Sequence, residues 1–129
     1  MYISVVTLQV DDIDRAVDFY TKKLGWEKTM DVDMGDGMRW VTVAPQGAQT
    51  SFTLSKGSAG WTPTKAGDGN GVIMEVDDVY KTHEQLNKLG IEFTEAPRTE
   101  PWGGWAIFKD SEGNEHGLHS PVPAGVSSN

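Results

Sequence analysis

The hydrophobic positions of the chain fall into two stretches that repeat each other. Residues 10–29 read VDDIDRAVDFYTKKLGWEKT and residues 76–94 read VDDVYKTHEQLNKLGIEFT. Val10-Asp11-Asp12-Ile13 matches Val76-Asp77-Asp78-Val79, and Lys23-Leu24-Gly25 matches Lys88-Leu89-Gly90, with a one-residue difference inside the stretch. Each copy starts as an apolar strand, Ile3 to Val10 and Val72 to Val76, that runs into an aspartate pair. Aspartate there caps the free amides of a following helix and favours its positive end. In the first helix Ile13, Ala16, Val17, Tyr20 and Leu24 recur at helical spacing and predict one buried stripe. Gly25 and Gly90 supply the left-handed residue that ends each helix.

Strand patterns follow each helix. In the first copy they cover Trp26 to Asp33, Met38 to Ala44 and Thr50 to Ser55, with Asp36-Gly37 as a two-residue hairpin turn. In the second they cover Ile91 to Glu95, Trp105 to Lys109 and Glu115 to Ser120, with Ser111-Glu112-Gly113-Asn114 as a turn. Each half therefore reads strand, helix, three strands. The spacing predicts one domain over 1–129: module one at about 3–55, a Gly-, Thr- and Ser-rich linker at 56–70, module two at about 71–120, and a tail at 121–129.

Composition narrows the setting. The chain has 129 residues, 37% of them hydrophobic, which suits an ordinary globular protein with a real core. It has no cysteine, so disulfides and thiolate zinc sites are excluded. No apolar run approaches bilayer length, and the N-terminus enters a strand pattern without a basic region, so a cytoplasmic protein is expected. The formal charge of −8 disfavours nucleic acid and anionic membranes as partners. It suits a cationic ligand, or it serves solubility alone.

The duplicated pattern resembles the vicinal-oxygen-chelate superfamily of glyoxalase I, bleomycin-resistance proteins and extradiol dioxygenases. Ala16-Val17-Asp18-Phe19-Tyr20 with Leu24-Gly25 is similar to the family's A-x-x-FY-x-x-x-LG helix. Phe108-Lys109-Asp110-Ser111-Glu112-Gly113-Asn114 is similar to its F-x-DP-x-GN turn, with Ser111 in place of proline. The resemblance covers about residues 3 to 120 and implies an α+β fold of two tandem βαβββ modules. These form open half-barrels around a cavity, commonly shared in a homodimer. Fold does not settle function in this family.

Metal-dependent relatives place a His or Glu ligand on each of four strands. The resemblance puts those positions at Val5, Thr53, Gly71 and Gly117, none of which is a good donor to a divalent metal. His116 and His119 are three apart on a strand and point to opposite faces. His83 lies on the apolar face of the second helix and reads as a packed histidine. Gln9 and Glu75 are repeat mates on the faces of Val5 and Gly71, with Thr7 and Ile73 between them. Glu75 could anchor a cation or act as a base; equally, polar residues are common at solvated strand ends.

Five tryptophans are many for this length. Trp26 reads as packing, Trp40 lies in a strand and Trp61 in the linker, while Trp102 and Trp105 flank Gly103-Gly104 in a glycine-rich loop. Such side chains pack on a distant core or partner, or they stack on a planar or cationic ligand. No nucleophile has a recognisable base, and Asp68-Gly69-Asn70-Gly71 lacks the lysine of a phosphate loop.

The leading expectation is a metal-independent binding protein that sequesters a small aromatic or cationic molecule, with no cofactor and no catalytic residue. Its ligand-binding set is Thr7, Gln9, Trp40, Thr53, Trp61, Ile73, Glu75, Trp102, Trp105 and His119. One alternative is a glyoxalase- or dioxygenase-like enzyme with a relocated metal site, because those reactions need a Lewis acid. A second is a dimeric interaction module with a vestigial cavity.

Overall fold

A computed structural model describes residues 1–56 and 72–122. The protein is α+β, built of two four-stranded mixed sheets with helices, and neither sheet closes into a barrel. The first contains β1 (Val5–Gln9), α1 (Ile13–Asp18), β2 (Glu27–Gly35), β3 (Met38–Ala44) and β4 (Ser51–Ser55). The second contains β5 (Ile73–Glu75), α2 (Val79–Lys88), β6 (Phe93–Glu100), β7 (Gly103–Lys109) and β8 (Glu115–Ser120). The strand orders are β1-β4-β3-β2 and β5-β8-β7-β6, the same topology twice. In each, the first strand pairs in parallel with the last and the others pair antiparallel.

The chain divides into two compact units, one for each sheet, and the segment Ser111–Asn114 belongs to the first. Within the first unit, alternate strand residues Leu8, Val41, Val43, Phe52 and Leu54 are buried on the helix side with Ala16, Phe19 and Tyr20. Within the second, α2 packs on β6, β7 and β8, and Val79, Ala106, Phe108 and Leu118 are buried. The opposite face of each sheet is the more open one.

The caps form as their residues require. Asp12 accepts from the Arg15 amide at 3.0 Å, and Asp78 accepts from the Tyr80 amide at 2.9 Å. Asp36 and Gly37 have φ of 54° and 76°, the left-handed pair that a tight hairpin demands.

Three local readings need correction. The first helix is not a uniform α-helix, because Phe19–Lys23 forms a π-turn. That turn holds the one residue by which the two copies differ: the Trp26 amide donates to Tyr20 O at 2.9 Å, whereas in the second copy the Ile91 amide reaches Leu86 O, one residue nearer. Phe19 joins Ala16 and Tyr20 in the core, while Ile13, Val17 and Leu24 are only half-buried. Strand β6 runs on through Pro97 to Glu100, which is tolerated because β6 is a sheet edge. Gly103 and Gly104 lie in β7 rather than in a loop, since each must let another chain segment come close. A Cβ on Gly103 would overlap the Ser120 carbonyl, and one on Gly104 would meet the Ser120 hydroxyl and the Val79 side chain.

Candidate functional site

The open face of the second sheet is assembled by strand register. Glu75 on β5 pairs with His119 on β8, His119 with Trp105 on β7, and Trp105 with Arg98 on β6. Direct cross-strand partners share a face, so these four side chains form one row across all four strands. His119 Nδ1 lies 2.6 Å from Glu75 Oε1, and its Nε2 lies 3.0 Å from the Trp102 carbonyl. The Trp102 indole stacks on the imidazole, with planes 18° apart and centroids at 5.9 Å, and meets Trp105 edge-on at 5.7 Å.

A carbonyl only accepts, so Nε2–H donates to it; the Glu75 carboxylate also only accepts, so Nδ1–H donates to Glu75. The ring is an imidazolium when both bonds are made. The Trp102 carbonyl, and then Glu75, accordingly hold the His119 pKa above its ordinary 6.5, against a weaker opposing effect of burial. Trp102 is 51% exposed and the Glu75 side chain 63% exposed, while the His119 side chain between them is 27% exposed. Arg98 at the far end of the row is occupied by Glu95 and by Glu100, the latter at 2.8 Å.

Gly117 lies in the next row, paired with Ile73 and Ile107. Its missing side chain is replaced by a neighbour: an ideal Cβ there would lie 2.6 Å from the tip of the Trp105 indole. The tryptophan therefore occupies the space into which a residue at this position would project.

The open face of the first sheet is different in character. A cleft of about 240 Å³ is lined by Val5, Thr7, Arg39, Trp40, Thr53 and Ser55. Thr7 and Thr53 are register partners, and the Thr53 hydroxyl donates to Val41 O at 3.3 Å. Gln9 is on the same face, paired with Ser55, and its Oε1 is buried without a hydrogen-bond partner among the described residues. Exposed Met30, Val32 and Met38 accompany Trp40 along the β2–β3 hairpin.

The structure thus groups Thr7, Gln9, Trp40 and Thr53 on one sheet and Ile73, Glu75, Trp102, Trp105 and His119 on the other. Trp61 and Gly71 lie outside the described residues. Val5, Arg39 and Ser55 line the cleft and Arg98 completes the row, four residues outside the expected ligand-binding set. Alternation along β1 could have exposed Val5, which shares parity with Thr7 and Gln9. Arg39 shares parity with Val41 and binds Asp14 of α1, so alternation puts it on the helix side, and Arg98 was hidden behind Pro97, which reads as a strand stop.

The donor set for a divalent metal does not fit. Val5, Thr53 and Gly117 offer no carboxylate or imidazole, and no cluster of three His, Cys, Asp or Glu occurs among the described residues. His116 is buried on the helix side of β8, its ring 5.5 Å from that of Phe108 and its Nε2 3.8 Å from Asp110 Oδ2. His83 packs edge-on against Phe93 at 4.6 Å. No helix among the described residues is long and apolar enough to cross a membrane.

Comparison with known proteins agrees with this architecture. The family model of the Glyoxalase/Bleomycin resistance protein/Dioxygenase superfamily matches residues 2–117. Protein YetH of Bacillus subtilis (strain 168) is 33% identical over 117 residues, spanning 87% of this chain and 92% of that protein. The crystal structure of TnmS3, described as an antibiotic binding protein from Streptomyces sp. CB03234, superposes with a TM-score of 0.82 at 33% identity. That match covers 95% of this chain and 97% of TnmS3. A superfamily member from Sphaerobacter thermophilus DSM 20745 also gives a TM-score of 0.82 at 33% identity, covering 93% and 97% of the two chains. With matching topology in both halves and a family model that spans nearly all of its length, the chain belongs to the glyoxalase/bleomycin resistance protein/dioxygenase superfamily.

Proposed function

We propose that this protein is a metal-independent small-molecule binder that acts by sequestration and takes an aromatic or cationic ligand on its open sheet faces. The observation that carries it is the Trp105 indole seated over Gly117, where metal-dependent relatives are expected to place a ligand side chain. An aromatic ring there offers contact area and a π-face in place of a metal donor. On the first sheet Trp40 is accompanied by exposed Met30, Val32 and Met38. The antibiotic-binding description of TnmS3, at 33% identity, supports a binding role of this kind. Sequestration needs no lowered barrier, which agrees with the lack of a recognisable nucleophile–base pair in the sequence.

An enzyme with a relocated metal site would need free donor atoms on these faces. Both ring nitrogens of His119 are already engaged, by Glu75 and by the Trp102 carbonyl. We also read the protein as a homodimer. Native mass spectrometry of protein purified without added ions tests both points at once. The expected species is twice 14.1 kDa with no bound metal. One Zn, Ni, Mn or Fe per chain would overturn the metal-free reading, and a strictly monomeric mass would overturn the dimer.

A further inference from the structure

We propose that Glu75, His119 and Trp102 form one charge-locked unit, in which the imidazolium holds the Trp102 indole as a stacking platform whose free side prefers an uncharged, electron-rich planar ring to a cationic one. The proposal rests on the binding reading above and decides between the two ligand classes left open there.

Three contacts define the unit. His119 Nε2 donates to the Trp102 backbone carbonyl at 3.0 Å, so the ring grips the residue whose side chain it stacks on. The near-parallel stack, 18° between planes, backs one side of the indole. Glu75, at 2.6 Å from Nδ1, keeps the imidazole turned into this position. The backbone contributes as well. Gly103, next in the chain, has φ of 129°, and a Cβ on it would lie 2.8 Å from His119 Nε2. Glycine therefore leaves room for the turn to close on the imidazole. Trp102 is still 51% exposed, so it keeps surface for a ligand.

The charge on the unit sets its preference. An aromatic face attracts cations through its quadrupole, and here a cation already stacks against one side. A cationic ligand on the other side would share that π-density and feel repulsion from the imidazolium across a single ring's thickness. An electron-rich neutral ring meets an indole polarised towards accepting it. Glu75 offsets the charge of the imidazolium in their ion pair, but it is the imidazolium ring, not the carboxylate, that stacks on the indole. Trp105 on β7 is uncharged, and beyond it the Arg98 charge is taken up by Glu95 and Glu100 on β6.

The test uses two bicyclic probes of the same size, 2-naphthol as the neutral ring and N-methylquinolinium as the cation. Each is titrated into the ¹⁵N-labelled full chain at neutral pH, and the Trp102 indole N–H shift is followed. The expected result is tighter binding of 2-naphthol by about three-fold or more, the size of an exposed cation–aromatic interaction. In His119→Gln, whose amide is neutral and can still hydrogen-bond, the ratio should fall towards one. Equal affinities in the wild-type chain, or a preference for the cation, would overturn the inference while leaving a binding protein. Binding of neither probe at millimolar concentration would overturn both.

Discussion

Three glycines without room for a side chain should respond to alanine in a fixed order. Gly103 combines φ of 129° with an overlap against backbone, the Ser120 carbonyl, which has nowhere to move. Gly103→Ala should cost about 3 kcal/mol or more, by adding strain to overpacking. Gly104→Ala meets the fully buried Val79 and the Ser120 hydroxyl and should cost about 1–3 kcal/mol. Gly117→Ala meets only the tip of the half-buried Trp105 indole, which can swing aside, so about 1 kcal/mol or less is expected. Urea unfolding checks the order, and near-UV circular dichroism should show that Gly117→Ala alone moves a tryptophan at little cost.

Glu112 is the residue with most at stake in the first unit. Its side chain is fully buried and accepts from the Asp11 and Asp12 amides, the Arg15 guanidinium at 2.7 Å and the Ser111 hydroxyl. Burial pushes its carboxyl upward, but the Arg15, Asp12, Ser111 and Asp11 hydrogen bonds together outweigh it and leave the pKa below the usual 4.5. A carboxyl lowered on folding stabilises fully above its unfolded value, and that contribution is lost as pH falls through the folded one. Glu112→Ala should therefore cost about 1–3 kcal/mol at neutral pH. The gap between variant and parent in urea unfolding should shrink towards pH 3; a gap independent of pH would contradict this assignment.

At the scale of elements, the π-turn explains an irregularity visible in the repeat. A single extra residue in an α-helix would rotate everything after it by about 100°. Absorbed as a π-turn, it leaves Tyr20 and Trp26 in the places that Leu86 and Ile91 hold in the second copy. Deleting Lys22, a well-exposed residue of the turn, should regularise the helix at a cost of about 1 kcal/mol or less, with the Trp26–Tyr20 ring contact kept. A loss of cooperative unfolding would show the turn to be indispensable. Much else at this scale was legible in advance. The caps at Asp12 and Asp78, the helix ends at Gly25 and Gly90 and the Asp36-Gly37 turn follow from local chemistry, which a sequence displays directly. The extension of β6 through Pro97 did not, because its tolerance depends on being at a sheet edge. The bonds of Glu112 to residues about a hundred positions earlier left no local pattern at all.

At the scale of the molecule, one topology carries two unlike faces. The first sheet presents threonine hydroxyls, Trp40 and thioethers; the second presents an ionic and aromatic row. The repeat made the shared topology readable, since both copies retain the strand–helix–strands order. Parity put Glu75 on the face of Gly71 and His119 on the face opposite His116, but it could not show that Trp105 fills the space at Gly117 or that Trp102 closes onto His119. Those depend on side-chain length and on glycine gaps, which alternation does not encode.

The parallel pairing of first strand with last also governs how the chain comes together in time. Among the described residues β1 pairs only with β4, and β5 only with β8, each about 45 residues later. Made from the N-terminus, each sheet has an opening strand that waits for its closing strand. Such non-local pairing slows folding relative to a local hairpin such as β2–β3. Because β8 carries His119 and receives β5 with Glu75, the ionic row of the second sheet cannot form before that sheet is complete. The stacking platform is therefore among the last features of the fold to appear and among the first to be lost when the C-terminal strand detaches.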